Sequence, residues 1–127
     1  MQLSRKEIVT VTAFFDIGRE KFGAFARSAD TYIEYFRFWA GMKNRMIIFC
    51  QPQYADAVLA VRRDYGLEDR TEMITVENIY DIEPGLFGRM KKIERDIAFL
   101  KFRSYSAPEN RADYSYVVML KAWCLDI

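Results

Sequence analysis

The residues best suited to binding a ligand follow the first apolar stretch of the sequence. Asp16, Arg19 and Lys21 lie beside Gly18 and Gly23, which are five residues apart. Glycines let a ligand approach the backbone, and the charged groups suit an anionic or nucleotide ligand. The spacing does not match G-x-G-x-x-G, and no Gly-Lys-Ser/Thr follows, so dinucleotide-binding and Walker-type phosphate loops are excluded. The alternative, which spacing alone favours, is a loop ion pair between Asp16 and Arg19.

Two more candidates lie further along the chain. Gln51 directly follows a second apolar run and precedes a proline, whereas Lys121 interrupts the long apolar run 113–127. A lysine at such a position either extends its stem to the surface or faces a ligand inside the fold. Asp113 precedes Lys121 by eight residues. That separation is about two helical turns, which puts the two side chains near one face.

Composition excludes several other kinds of chemistry. The sequence has no histidine, so triads, Cys-His dyads and His-ligated zinc are absent. It has no Asp-x-Asp pair, and Cys50 and Cys124 lie in apolar runs typical of reduced core residues. Nineteen basic against eighteen acidic residues give no reason to expect a nucleic-acid partner. We find no signal peptide and no run long enough for a transmembrane segment, and we expect a cytoplasmic protein.

Alternating and helical periodicities place these candidates on a β-α-β-α-β pattern. The sequence predicts strands near 8–15, 45–50 and 72–77, and helices near 29–42, 53–65, 85–102 and 113–126. We therefore expect one α/β domain over residues 1–127, Rossmann-like and three-layered, with a mainly parallel sheet. The carboxyl ends of parallel strands share one edge of a sheet. Asp16, Gln51 and the segment 77–83 should converge there.

Several segments resemble one known family. Residues 9–19, reading Val-Thr-Val-Thr-Ala-Phe-Phe-Asp-Ile-Gly-Arg, with 32–36 and 46–50, resemble the opening of the HtrL/YibB-type family of bacterial glycosyltransferase-like proteins. Residues 108–110 and 113–124 resemble a later stretch of the same family. The segments occur in the expected order, so the resemblance covers nearly the whole chain.

The resemblance implies a GT-A-like sheet that binds a nucleotide-sugar donor and transfers the sugar to a glycan acceptor of the cell-surface polysaccharide type. It also implies a divalent metal, Mn or Mg, on an acidic motif just beyond residue 127. We therefore expect the chain to be truncated before the metal-binding strand, to contain no cofactor site of its own, and to be inactive alone. One departure is Gln51, where an acid is expected.

The nucleotide-sugar-binding residues implied in this chain are Asp16, Arg19, Gln51 and Lys121. Arg19 would bind phosphate or base, Asp16 a ribose hydroxyl or a base N–H, and Lys121 would add positive charge; no catalytic residue is assigned. The alternative is a non-catalytic α/β nucleotide-binding or protein-interaction module. A receiver domain would need paired acids after the first strand, where Asp16 stands alone.

The apolar C-terminal element leads to a separate expectation. Residues 117–127 need cover on more than one side, so we expect exposed apolar surface there unless a partner, such as a second copy in a dimer, covers it.

Overall fold

The apolar runs predicted as strands form a parallel sheet. The computed structural model describes residues 7–18, 28–96 and 111–126. Its strands are β1 (Thr10–Phe14), β2 (Met46–Cys50) and β3 (Thr71–Thr75), in the spatial order β1-β2-β3. Its α-helices are α1 (Ala29–Arg37), α2 (Pro52–Asp64), α3 (Pro84–Glu94) and α4 (Ala112–Cys124). The predicted α/β class and parallel sheet are confirmed, and the fold is compatible with a Rossmann-like architecture.

Helices cover both faces of the sheet. Met46 and Ile48 of β2 point to the face covered by α1 and α2, where they join Ile33 and Val61 in one buried cluster. Phe49 points the other way, and its ring packs edge-on against Trp123 of α4, with centroids 5.6 Å apart. On that second face α3 and α4 build another cluster around buried Ile79, Tyr116 and Leu120. Helix, sheet and helix form the predicted three layers.

Two helices end earlier than the periodicity predicts. α1 begins at its cap Ser28, whose hydroxyl accepts from the Thr31 N–H at 3.1 Å, and ends at Arg37 instead of 42. Its last turn tightens into i→i−3 bonds, as helix ends often do. α3 ends at Glu94, not at 102, and the predicted residues 97–102 lie outside the described ranges. The Glu94 carboxylate accepts from the Ala112 N–H, so it caps the start of α4.

The sequence predicts a solvated face for the consecutive arginines Arg62 and Arg63 of α2, because basic residues usually face water. That holds for Arg63, which forms a bidentate, exposed pair with Glu68 at 2.8 and 2.9 Å. It is wrong for Arg62, which is 0% exposed.

Arg62 remains buried because its guanidinium has backbone carbonyl oxygens to bind. It donates to Ala40 at 2.7 Å, to Met42 at 2.6 Å and to Asn44 at 3.0 Å, all in the connection between α1 and β2. It also donates to the Thr71 hydroxyl at 2.8 Å, at the start of β3. Burial is the main cause that lowers the pKa of this guanidinium. One side chain thereby ties two connections together at the amino edge of the sheet.

The C-terminal helix exposes apolar side chains, as the sequence predicted. Val118, Trp123 and Leu125 are 44%, 38% and 68% exposed, whereas Leu120 is buried. In the described ranges, no helix has both the length and the apolar character that crossing a bilayer requires.

We predict that Arg62→Met destabilises the fold far more than Arg63→Met does. The first change leaves several buried carbonyls without a donor, at about 1–3 kcal/mol for each unsatisfied group, and we expect a loss of about 3–5 kcal/mol. The second removes only an exposed ion pair and should have little effect. Urea denaturation followed by circular dichroism measures both, and equal midpoints would contradict the role given to Arg62.

Candidate functional site

A side chain extends the sheet beyond its last backbone pair. The β1–β2 ladder ends at Phe14 and Cys50, and Pro52, which lacks an N–H, begins α2 immediately afterwards. The Gln51 carboxamide takes the place of the next backbone pair of the β1–β2 ladder. Its Oε1 accepts from the Asp16 N–H at 2.7 Å, and its Nε2 donates to the Asp16 carbonyl at 2.8 Å. Asp16 is therefore held as if it still belonged to the sheet.

The Asp16 carboxylate is oriented by two further groups. The Gly18 N–H donates to Oδ1 at 2.8 Å, and the Tyr54 hydroxyl of α2 donates to Oδ2. Gly18 has φ +76°, a left-handed conformation that favours glycine in this turn. Each carboxylate oxygen accepts more than one bond. Asp16 is thus fixed in position and retains capacity for a ligand.

Asp16 and Lys121 line the same cleft, of about 230 Å³, at the carboxyl edge of the sheet. Lys121 is exposed and lies on the face of α4 that also carries Tyr114 and Val118. Tyr32 of α1 lines the cleft as well. The cleft therefore combines a carboxylate, an ammonium group and aromatic side chains. The remaining lining residues are Ala13, Phe14, Phe15, Ile17, Ala29 and Val117.

Of the other two predicted site residues, the structure describes only Gln51. Gln51 is joined to the cleft through Asp16, and the hydrogen bonds to that residue's backbone occupy both ends of its amide. Arg19 lies outside the described residues, so its expected role remains a prediction.

The segment after β3 reaches the same edge, as expected from the topology. Tyr80 lies beside Asp113, at the start of α4, and stacks on Tyr116, with ring centroids 5.6 Å apart. Burial first, and then the charge and hydrogen bond of Asp113, raise the pKa of Tyr80 to about 12, and Asp16 adds a smaller contribution. Tyr80 is therefore a neutral hydrogen-bond donor at physiological pH.

Tyr116 fixes the turn that carries Tyr80. Its hydroxyl donates to the Ile79 carbonyl at 2.5 Å and accepts from the Glu83 N–H at 3.0 Å. Because Tyr116 is fully buried, both ends of this turn are tied to α4.

Neither thiol is prepared for nucleophilic chemistry. Burial raises the pKa of Cys50 to about 11 and also raises that of Cys124. Both remain protonated core residues at neutral pH, which agrees with the sequence analysis. Across the described ranges, no group of three or more histidine, cysteine, aspartate or glutamate side chains is arranged to hold a metal ion.

The sequence analysis missed the tyrosines of this site. The helical periodicity places Tyr32 and Tyr54 on apolar stripes of the predicted helices 29–42 and 53–65, and the sequence gives Tyr80 no role. A signal was available, because a tyrosine on a buried stripe still needs a partner for its hydroxyl. What the sequence does not show is which partner that is, since Asp16 is 38 residues from Tyr54.

Comparison with known proteins identifies relatives of unknown activity. Residues 6–126 match the model of a family described as bacterial protein of unknown function (HtrL_YibB). The chain is 33% identical to Protein HtrL of Escherichia coli (strain K12), over 89% of this chain and 42% of that protein. It therefore spans about two fifths of the length of that curated relative. No solved structure gives a significant match.

We predict that Gln51→Glu destabilises the protein at neutral pH by about 1–3 kcal/mol, because a carboxylate accepts from the Asp16 N–H but cannot donate to its carbonyl. The facing carbonyl oxygen should raise the folded-state pKa of the new carboxyl above its unfolded value. The loss of unfolding free energy should then be full above the folded-state pKa of this carboxyl. It should disappear as the pH falls below the pKa of the same group in the unfolded chain, near 4.3. Urea unfolding at several pH values tests this. Gln53→Glu, exposed on the same helix, is the control, and an equal loss there would refute the role of Gln51.

A second prediction concerns Tyr80. Its folded-state pKa lies above the ordinary value of about 10, so its stabilising contribution is complete below pH 10 and is lost as the pH rises towards 12. Tyr80→Phe should be less stable than the wild type at pH 7. The difference between their unfolding free energies should narrow between pH 10 and 12. Unfolding free energies of both proteins across this range provide the test; a constant gap would contradict the raised pKa.

Proposed function

The chain belongs to the HtrL/YibB family of bacterial proteins, and we propose that it binds the nucleotide part of a nucleotide-sugar donor for a glycosyltransferase with a GT-A-like architecture. The observation that carries the proposal is the cleft that Asp16 and Lys121 share at the carboxyl edge of the sheet. Ligands of open α/β sheets bind at this edge.

The nucleoside would interact with Asp16 and the aromatic walls. Asp16 is held by Gln51, Gly18 and Tyr54, so a ribose hydroxyl or base N–H donates to a carboxylate that is already oriented. A preorganised acceptor costs little ordering entropy on binding. Tyr32 and Tyr114 offer the apolar and aromatic surface that suits a base.

The phosphates would interact with Lys121. Its ammonium is exposed at the margin of the cleft and lies on a different element from Asp16, so a ligand can meet both groups at separate points. A diphosphate next to Asp16 alone would be repelled, whereas one beside Lys121 gains a charge-assisted hydrogen bond. Arg19 follows Asp16 by three residues, and we assign it to phosphate or base.

The size of the cleft determines how much of the donor it holds. A volume of about 230 Å³ lies below the roughly 300–1,000 Å³ of pockets that enclose a whole drug-sized ligand. The cleft therefore suits a nucleoside, and the diphosphate and sugar would extend past Lys121.

The rest of the reaction is proposed for the family's longer members, since this chain spans about two fifths of the relative's length. There we assign sugar transfer to a cell-surface glycan acceptor, with a divalent Mn or Mg ion on an acidic motif. The described residues present no such ligand set, and none of the binding steps above uses a metal.

Titration calorimetry with a panel of nucleotide sugars, free nucleosides and sugar phosphates tests the proposal. Asp16→Asn keeps the shape of the side chain but removes its charge, and it should weaken nucleoside and nucleotide-sugar binding by about 1.5–3 kcal/mol. Arg19→Ala should weaken nucleotide-sugar binding by a similar amount. Lys121→Gln should weaken binding of the phosphorylated ligands and leave the free nucleosides unaffected.

Matched controls come from exposed positions on two other helices. Asp56→Asn and Lys92→Gln make the same chemical changes on α2 and α3, away from the cleft, and should leave binding unchanged. Equal affinity in the wild type, Asp16→Asn and Lys121→Gln, with the fold intact by circular dichroism, would refute the proposal.

A further inference from the structure

The Asp16 carboxylate retains an acceptor site on each of its two oxygens. An ionised carboxylate offers about four lone-pair sites, two on each oxygen. Among the described residues, Oδ1 accepts from the Gly18 N–H and Oδ2 accepts from the Tyr54 hydroxyl. The same residue lines the cleft of about 230 Å³. A ligand in the cleft therefore meets two adjacent oxygens of fixed orientation, which accept hydrogen bonds and cannot donate them.

Two adjacent acceptors favour a ligand that carries two adjacent donors. The 2′ and 3′ hydroxyls of a ribose lie on neighbouring carbons, on the same side of the ring, and each of them can donate. Adenine, cytosine and uracil place an acceptor next to each donor on their base-pairing edges, so an oxygen or a ring nitrogen would face the carboxylate. Of the common bases, guanine alone has two adjacent N–H donors on that edge. Asp16 therefore fits a ribose diol or a guanine edge.

The order of the groups across the cleft favours the ribose diol. Tyr32 lies on α1 and Lys121 lies on α4, and these helices cover opposite faces of the sheet. Asp16 lies between them in the layer of the strands, because Gln51 bonds to its backbone as a neighbouring strand would. The cleft therefore presents an aromatic ring, a carboxylate and an ammonium group in that order. A nucleoside diphosphate has the matching order of base, ribose and phosphates.

Neighbouring rings hold the aromatic end of this arrangement in place. Tyr32 contacts Phe14 and Tyr35 edge-on, with ring centroids 6.4 and 6.3 Å apart. Phe14 ends β1 and precedes Asp16 by two residues. A base that packs against Tyr32 therefore has its ribose within reach of the Asp16 carboxylate.

Lys121 determines which way round the ligand lies. It is the only cationic side chain among the described residues that line the cleft. Tyr114, also on α4, precedes Lys121 by seven residues, about two helical turns, so it borders the nucleoside and not the phosphates. A guanine edge on Asp16 would instead move the base away from Tyr32 and towards Lys121, where the phosphates belong.

We propose that Asp16 binds the 2′ and 3′ hydroxyls of the ribose together, and that the cleft thereby selects ribonucleotides over deoxyribonucleotides. This assignment rests on the proposed function and narrows it, because it gives the base to the tyrosines and the sugar to Asp16. Removal of either hydroxyl deletes a hydrogen bond to a charged acceptor. Such a loss should weaken binding by roughly tenfold or more.

Titration calorimetry tests this selectivity with the diphosphates of uridine, cytidine, adenosine and guanosine, each also in its 2′-deoxy and 3′-deoxy form. Every ribonucleotide that binds should bind roughly tenfold or more tightly than both of its deoxy forms. Equal affinity for a ribonucleotide and either deoxy form would overturn the diol assignment and leave the proposed function standing. Binding of guanosine diphosphate that persists in both deoxy forms would assign Asp16 to the guanine edge instead. If no diphosphate binds, the proposed function is refuted, and the diol assignment with it.

Two variants separate the carboxylate from the aromatic wall. Asp16→Asn replaces one acceptor by a donor and removes the charge, so the preference for ribonucleotides over their deoxy forms should fall several-fold. Tyr32→Leu should weaken the ribonucleotide and its 2′-deoxy form by the same factor and leave that preference unchanged. Asp56→Asn on α2 and Phe38→Leu directly after α1 are exposed controls that should change neither quantity. A preference that Asp16→Asn leaves intact, or that Tyr32→Leu removes, with the fold intact by circular dichroism, would overturn the assignment.

Discussion

The buried Arg62 guanidinium is the interaction on which the arrangement of the sheet depends. Parallel strands are joined by crossovers, so their register is set where each connection returns to the amino edge. Arg62 binds three carbonyls of the α1–β2 connection and the hydroxyl that begins β3. A positive charge is costly to bury, and here the carbonyl dipoles replace its lost hydration. Strand entry is thereby fixed for β2 and β3 together.

The carboxyl edge is organised by uncharged side chains, whereas the amino edge is organised by a buried cation. There side-chain acceptors and hydroxyls bind backbone and one another: Gln51 holds Asp16, Tyr54 orients its carboxylate, and Tyr116 holds the turn that carries Tyr80. Most of these groups come from helices, so the site forms only when the helices pack on the sheet. The groups that fix the strand starts therefore lie at the amino edge, and the groups that we propose for ligand binding lie at the carboxyl edge.

Sequence periodicity predicted the strands, the helix faces and the convergence at one edge, because these follow from local pattern and from the common direction of parallel strands. It did not predict the burial of Arg62 or the hydroxyl bond of Tyr54. Each depends on a partner far away in the chain, and for Arg62 that partner is mainly backbone, whose position the side-chain sequence does not show. Gln51 was selected as a ligand-binding residue by its place after a strand. The structure shows that the same place also lets it bind the Asp16 backbone.

The use of Gln51 as the last rung of the ladder affects local motion. A rung made by two peptide groups breaks only when a strand moves, and that disturbs every neighbouring rung. A rung made by a carboxamide breaks when one side chain changes rotamer, and the Phe14–Cys50 pair remains intact. The Asp16 amide hydrogen can then exchange with solvent through a rotation of Gln51, at a cost well below that of unfolding the sheet. The point where β1 leaves the sheet can therefore open by rotation of the Gln51 side chain alone.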